Sequence, residues 1–165
     1  MDTKTSFILK CVKELLAHNF SVLLHKKDNL DGYGGWFGTD EGQEEFVVAM
    51  KHHMGFEILI HEYCHFLQWK TDRKLWNKSN QTYDILFDWI SDPEFSVSDE
   101  QLDQSLHDIL EIEHDCEKRV LKIVKNSPIE DFDTNKYIQA INAYLWSYHR
   151  SEEHTSELQS RLHLV

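Results

Sequence analysis

Basic residues are scarce in this chain: 17 Lys and Arg stand against 29 Asp and Glu, a formal net charge of -12. That deficit excludes a surface built to hold nucleic acid or an anionic membrane, since both need clustered positive charge. Long apolar runs are also missing. No stretch reaches the roughly 20 residues that a membrane-spanning helix requires. The first ten residues are polar with one short apolar run, unlike a secretory leader. Cysteines are few, and Cys11, Cys64 and Cys116 are an odd number without framework spacing. They read as reduced thiols of a cytoplasmic protein rather than as a disulfide scaffold, and as small core residues.

What is present suits one compact domain over residues 1–149. Hydrophobic residues make up 41% of the chain and aromatics 12%, enough for a sizeable core. Residues 4–18 carry Phe7, Ile8, Cys11, Val12, Leu15 and Leu16 on one side of a helix. Phe20 to His25 and Glu45 to Met50 read as strands, and Asp28 to Gly38, with four glycines, as a turn-rich loop. A helix spans about 53–69. Lys70 to Gln81 reads as a loop or short helix, Thr82 to Ser91 as a short amphipathic helix, and Asp92 to Val97 as a connector. Ser98 is the expected N-cap of a helix over 99–126, with Gln101 at the capping-box position and Asn126-Ser127-Pro128 as its stop. A last helix starts at Asp133 or Thr134, with Tyr137, Ile141, Tyr144, Leu145 and Tyr148 on its apolar face. The expected class is α+β, with a small antiparallel or mixed sheet and a mostly helical C-terminal half.

Helical periodicity is lost after His149. Residues 150–165, which open with Arg-Ser-Glu-Glu-His-Thr-Ser-Glu-Leu-Gln-Ser, resemble a translated sequencing adapter. They are set aside from functional reasoning, and His154 and His163 are not counted as ligands.

One stretch carries chemistry. His61-Glu62-Tyr63-Cys64-His65 lies inside an apolar segment, Phe56 to Trp69, that no glycine or proline interrupts. Residues four apart share one face of a helix, so the two imidazoles can meet one zinc ion, with Glu62 beside it as a general base. A catalytic zinc needs a third protein ligand and an open position. Two acidic pairs compete downstream, Glu111 with Asp115 and Glu113 with Glu117. At roughly 100° per residue from Leu102, Glu113 and Glu117 fall near about 20° and 60°, on the apolar stripe of Leu106, Ile109, Cys116, Val120 and Val124. Glu111 and Asp115 fall near about 180° and 220°, toward solvent. A carboxylate on an apolar stripe is costly unless it is paired or metal-bound. Glu113 is therefore the expected third ligand. Glu117 is the expected acceptor of a hydrogen bond from a ligand histidine, fixing its tautomer. The competing reading pairs these acids with Arg119 or Arg73.

His61-Glu62-x-x-His65 followed by Glu113-x-x-x-Glu117 resembles the gluzincin arrangement of zinc metallopeptidases. The stretches His61 to Trp69 and Glu113 to Arg119 also resemble small phage and bacterial metallopeptidase-like proteins. More distantly the chain is similar to ImmA/IrrE-type peptidases. The resemblance implies a minimal zincin-like fold, a bound Zn2+, peptidase activity on a peptide or protein substrate, and the cytoplasm of a bacterium or phage-infected cell. It further implies that Phe46 to Met50 is a sheet edge able to pair with extended substrate. On this reading Tyr144, Tyr148 or His149 supplies a hydrogen bond to the oxyanion. Two other readings stay open: a non-catalytic protein in which zinc only ties helices together, with Cys64, Cys116 or His114 as further ligand, and a metal-free helical interaction protein.

Overall fold

A computed structural model describes residues 2–40, 42–92 and 94–149. The expectation about the adapter-like tail falls on residues 150–165, outside the described residues. The order is α1 (Thr3–Ala17), β1 (Ser21–His25), β2 (Gly35–Asp40), β3 (Gln43–Ala49), α2 (Gly55–Thr71), α3 (Arg73–Ser91), α4 (Asp99–Asn126) and α5 (Thr134–His149). The class is α+β, with a small mixed sheet and a helical second half. No helix among the described residues is long and apolar enough to cross a membrane.

The sheet order is β1-β3-β2. β1 runs parallel to β3, with Val22 opposite Phe46, and β2 runs antiparallel to it, with Phe37 opposite Phe46. Strand β3 is central and buried from Phe46 to Ala49, which corrects the expectation that Phe46 to Met50 forms an edge. The edge strand β2 lies in the segment whose glycines suggested a loop. Those glycines serve close approach. A Cβ on Gly35 would stand 2.7 Å from the Val47 carbonyl oxygen and 2.9 Å from Ile58 on α2. Strand β2 thus lies closer to α2 than a side chain at Gly35 would allow.

Helix α2 is apolar nearly all round because it is packed on several sides. One side meets the sheet and α1 through an aromatic core of Phe20, Phe37, Phe46, Phe66 and Trp76. Another presents Ile60 and Cys64 to Cys116, Val120 and Val124 of α4 and Tyr137 of α5. Asp72 ends α2 and starts α3, its carboxylate accepting from the Leu75 N–H at 3.1 Å. Helix α3 is continuous from Arg73 to Ser91, so Lys70 to Gln81, expected as a loop or short helix, is helical and belongs to the end of α2 and the first half of α3. Its first half is polar outside and buries Trp76 and Ser79 inside. Ser98 and Gln101 form the reciprocal capping box of the 28-residue α4.

Candidate metal centre

The site lies where α2 meets α4. His61 and His65 stand one turn apart, their ring centroids 4.6 Å apart and their planes at 86°. The two Nε2 atoms are 3.0 Å from each other. Glu113 on α4 faces both, with Oε2 3.6 Å from His61 Nε2 and Oε1 3.6 Å from His65 Nε2. Glu113 Oε2 is buried and has no hydrogen-bond partner.

The opposite ring nitrogens are already committed. His61 Nδ1 lies 2.8 Å from Glu117 Oε1, and Glu117 Oε2 accepts the Tyr137 hydroxyl at 2.5 Å. His65 Nδ1 lies 2.8 Å from Gln68 Oε1. The Gln68 amide cannot be turned round, because its nitrogen donates to the Ile112 carbonyl at 2.7 Å and to Asp115 at 2.9 Å. Each Nδ1 therefore carries a proton, so that in a neutral ring the lone pair sits on Nε2. Two lone pairs 3.0 Å apart repel unless a proton or a metal cation lies between them. With the orphaned Glu113 oxygen, this is a donor set that fits a divalent cation of the zinc type, two imidazoles and one carboxylate.

Without a metal, the electrostatics put a proton between the two Nε2 atoms, carried by His61. Burial alone would lower the pKa of His61. The hydrogen bond to Glu117 and the charges of Glu113 and Glu62 outweigh it, raising His61 to about 10. His65 is lowered to about 4 by burial and by the neighbouring His61 charge. Burial pushes the Glu113 carboxyl up, against the pull of His61. Glu62 is buried beside the pair and is also raised by burial, with His61, His65 and the Phe37 backbone N–H opposing and Glu113 reinforcing it. A carboxylate whose proton affinity is lifted is suited to taking a proton and giving it up again.

Neither arginine of the competing reading reaches these acids. Arg119 bonds Asp115 at 2.6 Å, and the Arg73 guanidinium lies 3.8 Å from the Trp69 ring centroid. Among the described residues Glu113 and Glu117 form ion pairs only with histidine. Asp115, expected to face solvent, is half-buried and braces Gln68 instead. Glu111 is exposed, as its helical angle implies. Cys116 and Glu117 both stand on the Nδ1 side of His61, so neither belongs to the convergent set. The Cys116 thiol, pushed up by burial, donates to the His61 carbonyl at 3.3 Å. His114 is exposed.

Sequence reasoning did not find Gln68 or Tyr137 as parts of the site. The signal for Gln68 was its place three residues after His65 within a buried helix, one turn along the same face. Tyr137 read as an ordinary apolar-face residue. Burial, then the charge of Glu117 and the hydrogen bond to it, raise its hydroxyl, so it stays a donor. Tyr144 is half-buried on α5, and the side chains of Tyr148 and His149 lie outside the described residues. Comparison of the chain with protein-family models, with curated proteins and with solved structures returns no match.

Proposed function

We propose that this chain is a small zinc-dependent peptidase of the gluzincin type, with His61, His65 and Glu113 as metal ligands and Glu62 as general base. The observation that supports it most is the pair of Nε2 atoms converging on Glu113 while both Nδ1 atoms are tied back, with a buried Glu62 alongside. A purely structural site has no need of Glu62 and commonly fills its fourth position with another protein ligand. Zinc, when bound there, supplies Lewis acidity and lowers the pKa of its water.

The protein's own groups do the rest. Glu117 and Gln68 hold the two imidazoles in the ligating tautomer. Glu62 accepts the proton of the attacking water as it adds to the peptide carbonyl, then passes that proton to the leaving amine, which breaks the C–N bond. Tyr137 keeps Glu117 oriented. The acidic surface and the three buried free thiols favour a reducing, cytoplasmic setting.

Two measurements test this reading. Metal analysis of the purified chain is expected to find one zinc per molecule. Glu62→Gln is expected to keep that zinc and to lower peptide hydrolysis by about 10²–10⁴-fold, the span of general-base contributions. Full turnover in E62Q would remove Glu62 from the mechanism. Stoichiometric zinc with no hydrolysis by the wild type across a broad peptide library would leave a non-catalytic zinc protein.

A further inference from the structure

The sheet has an edge on either side of β3, and the two differ. Strand β2 lies against α2 and α3: Gly35 approaches Ile58, and the Thr39 hydroxyl accepts from the Trp76 indole at 3.2 Å. Strand β1 pairs with β3 on one side only. The His25 carbonyl accepts from the Met50 N–H at 2.8 Å, and the Lys27 carbonyl from the Lys51 N–H at 3.0 Å. By alternation Ser21 and Leu23 also turn their backbone groups toward β3, while the N–H and C=O of Val22 and Leu24 point away from the sheet. Among the described residues nothing bonds to those outward groups. Natural edges are commonly blunted by proline, charge or a bulge. Ser21-Val-Leu-Leu-His25 has no proline, lysine or acid, its register with β3 is unbroken, and Leu23 at its centre is 42% exposed.

Charge says what could cover this edge. Residues 1–27 hold five lysines and two acids, in a chain whose net charge is -12. Lys26, Lys27 and Lys51 gather where β1 ends, all exposed and none in an ion pair among the described residues. At the other end of the strand Ser21 stands opposite Glu45. The edge is therefore basic at one end and acidic at the other, which orients whatever binds it. Donors and acceptors at strand spacing are what another extended polypeptide supplies.

We propose that β1 is a docking edge for an extended acidic segment of a partner protein, which adds as a fourth strand beside Val22 and Leu24 with its acids against Lys26, Lys27 and Lys51. Antiparallel addition, the more stable sense, puts those acids at the N-terminal end of the segment. The edge lies across β3 from the strand that faces the metal centre, so the proposal does not depend on the peptidase reading.

The probe is a fluorescein-labelled peptide of alternating valine and threonine behind an acidic N-terminal run. It is added to the full chain carrying Glu62→Gln, so that hydrolysis does not consume it. Hydrogen exchange followed by NMR is expected to show the Val22 and Leu24 amides slowed about tenfold or more in the complex, with Phe37 and Thr39 of β2 unchanged. Fluorescence anisotropy at low salt is expected to show binding weakened about tenfold or more by Lys26→Glu, Lys27→Glu and Lys51→Glu together, which turn attraction into repulsion. All three positions are exposed, so the melting temperature should match that of the unaltered chain. A peptide with lysines in place of its acids should lose affinity by a similar factor. Equal binding of the acidic and lysine peptides would overturn the acidic partner. Absence of binding, or slowed exchange at Phe37 and Thr39 with none at Val22 and Leu24, would overturn the docking edge. So would protection of Val22 and Leu24 without peptide in a chain that sediments as a dimer, since a second copy would then occupy the edge.

Discussion

Helix α4 carries two acidic clusters one turn apart, and their partners make them opposites. Asp108 and Glu111 share Lys78, whose Nζ lies 2.8 Å from Asp108 Oδ1 and 2.6 Å from Glu111 Oε2. Among the described residues Glu113 and Glu117 form ion pairs only with imidazoles, and Glu117 accepts the Tyr137 hydroxyl. Both clusters could be mistaken for cation sites on residue type alone, and His107 even stands beside the first. The first has its counter-charge covalently attached through a lysine stem. The second holds a buried oxygen without a donor and two imidazole nitrogens 3.0 Å apart. An acidic cluster needs a diffusible cation only where the chain supplies no fixed one.

The largest expected effect breaks the second cluster. Glu113→Gln should weaken zinc binding by more than about 100-fold, beyond what loss of an outer partner costs. Competition against a chromophoric chelator measures it. Zinc binding that survives E113Q but falls in Asp108→Asn would invert the comparison.

A smaller effect sharpens it. Gln68→Ala leaves all three ligands in place and frees His65 to take the other tautomer, so zinc affinity should fall about 10- to 100-fold. The same change removes the amide's hydrogen bonds to the Ile112 carbonyl and Asp115 from a buried site, at a cost of about 1–3 kcal/mol in a denaturant titration. Unchanged affinity would mean that the His65 tautomer does not depend on Gln68.

The smallest effect belongs to the first cluster. Lys78→Met should leave zinc affinity unaltered and cost about 1 kcal/mol or less of stability. Its side chain is 40% exposed, and Asp108 keeps a hydrogen bond from Gln104 at 2.6 Å. Urea denaturation of the variant beside the wild type checks the stability, and the same chelator competition checks the zinc. A loss of zinc binding in Lys78→Met would show the two clusters to be one electrostatic unit.

Much of this arrangement was legible in the residues. Periodicity separated Glu113 and Glu117 from Glu111 because one face of α4 is continuously apolar, and Ser98 with Gln101 marked where that helix begins. The angle for Asp115 misled, because helical phase says nothing of a long amide reaching across from α2. Strand β2 was hidden by glycines that are required by close packing, a tertiary cause with no local signature. The first half of α3 could be read only as a loop or short helix because it buries little besides Trp76 and Ser79, too few residues to establish a period. Partners such as Gln68 and Tyr137 become visible only once α2, α4 and α5 are brought together.

Gln68 has one consequence outside chemistry. Its amide reads a backbone carbonyl and a carboxylate on α4, and the same helix presents Glu113 and Glu117 to the histidines. A slip of α4 by one residue, about 1.5 Å along its axis and 100° around it, would unseat all four contacts at once. Metal affinity in this protein would therefore act as a gauge of helix registration, responding to an error in assembly that barely alters helical content.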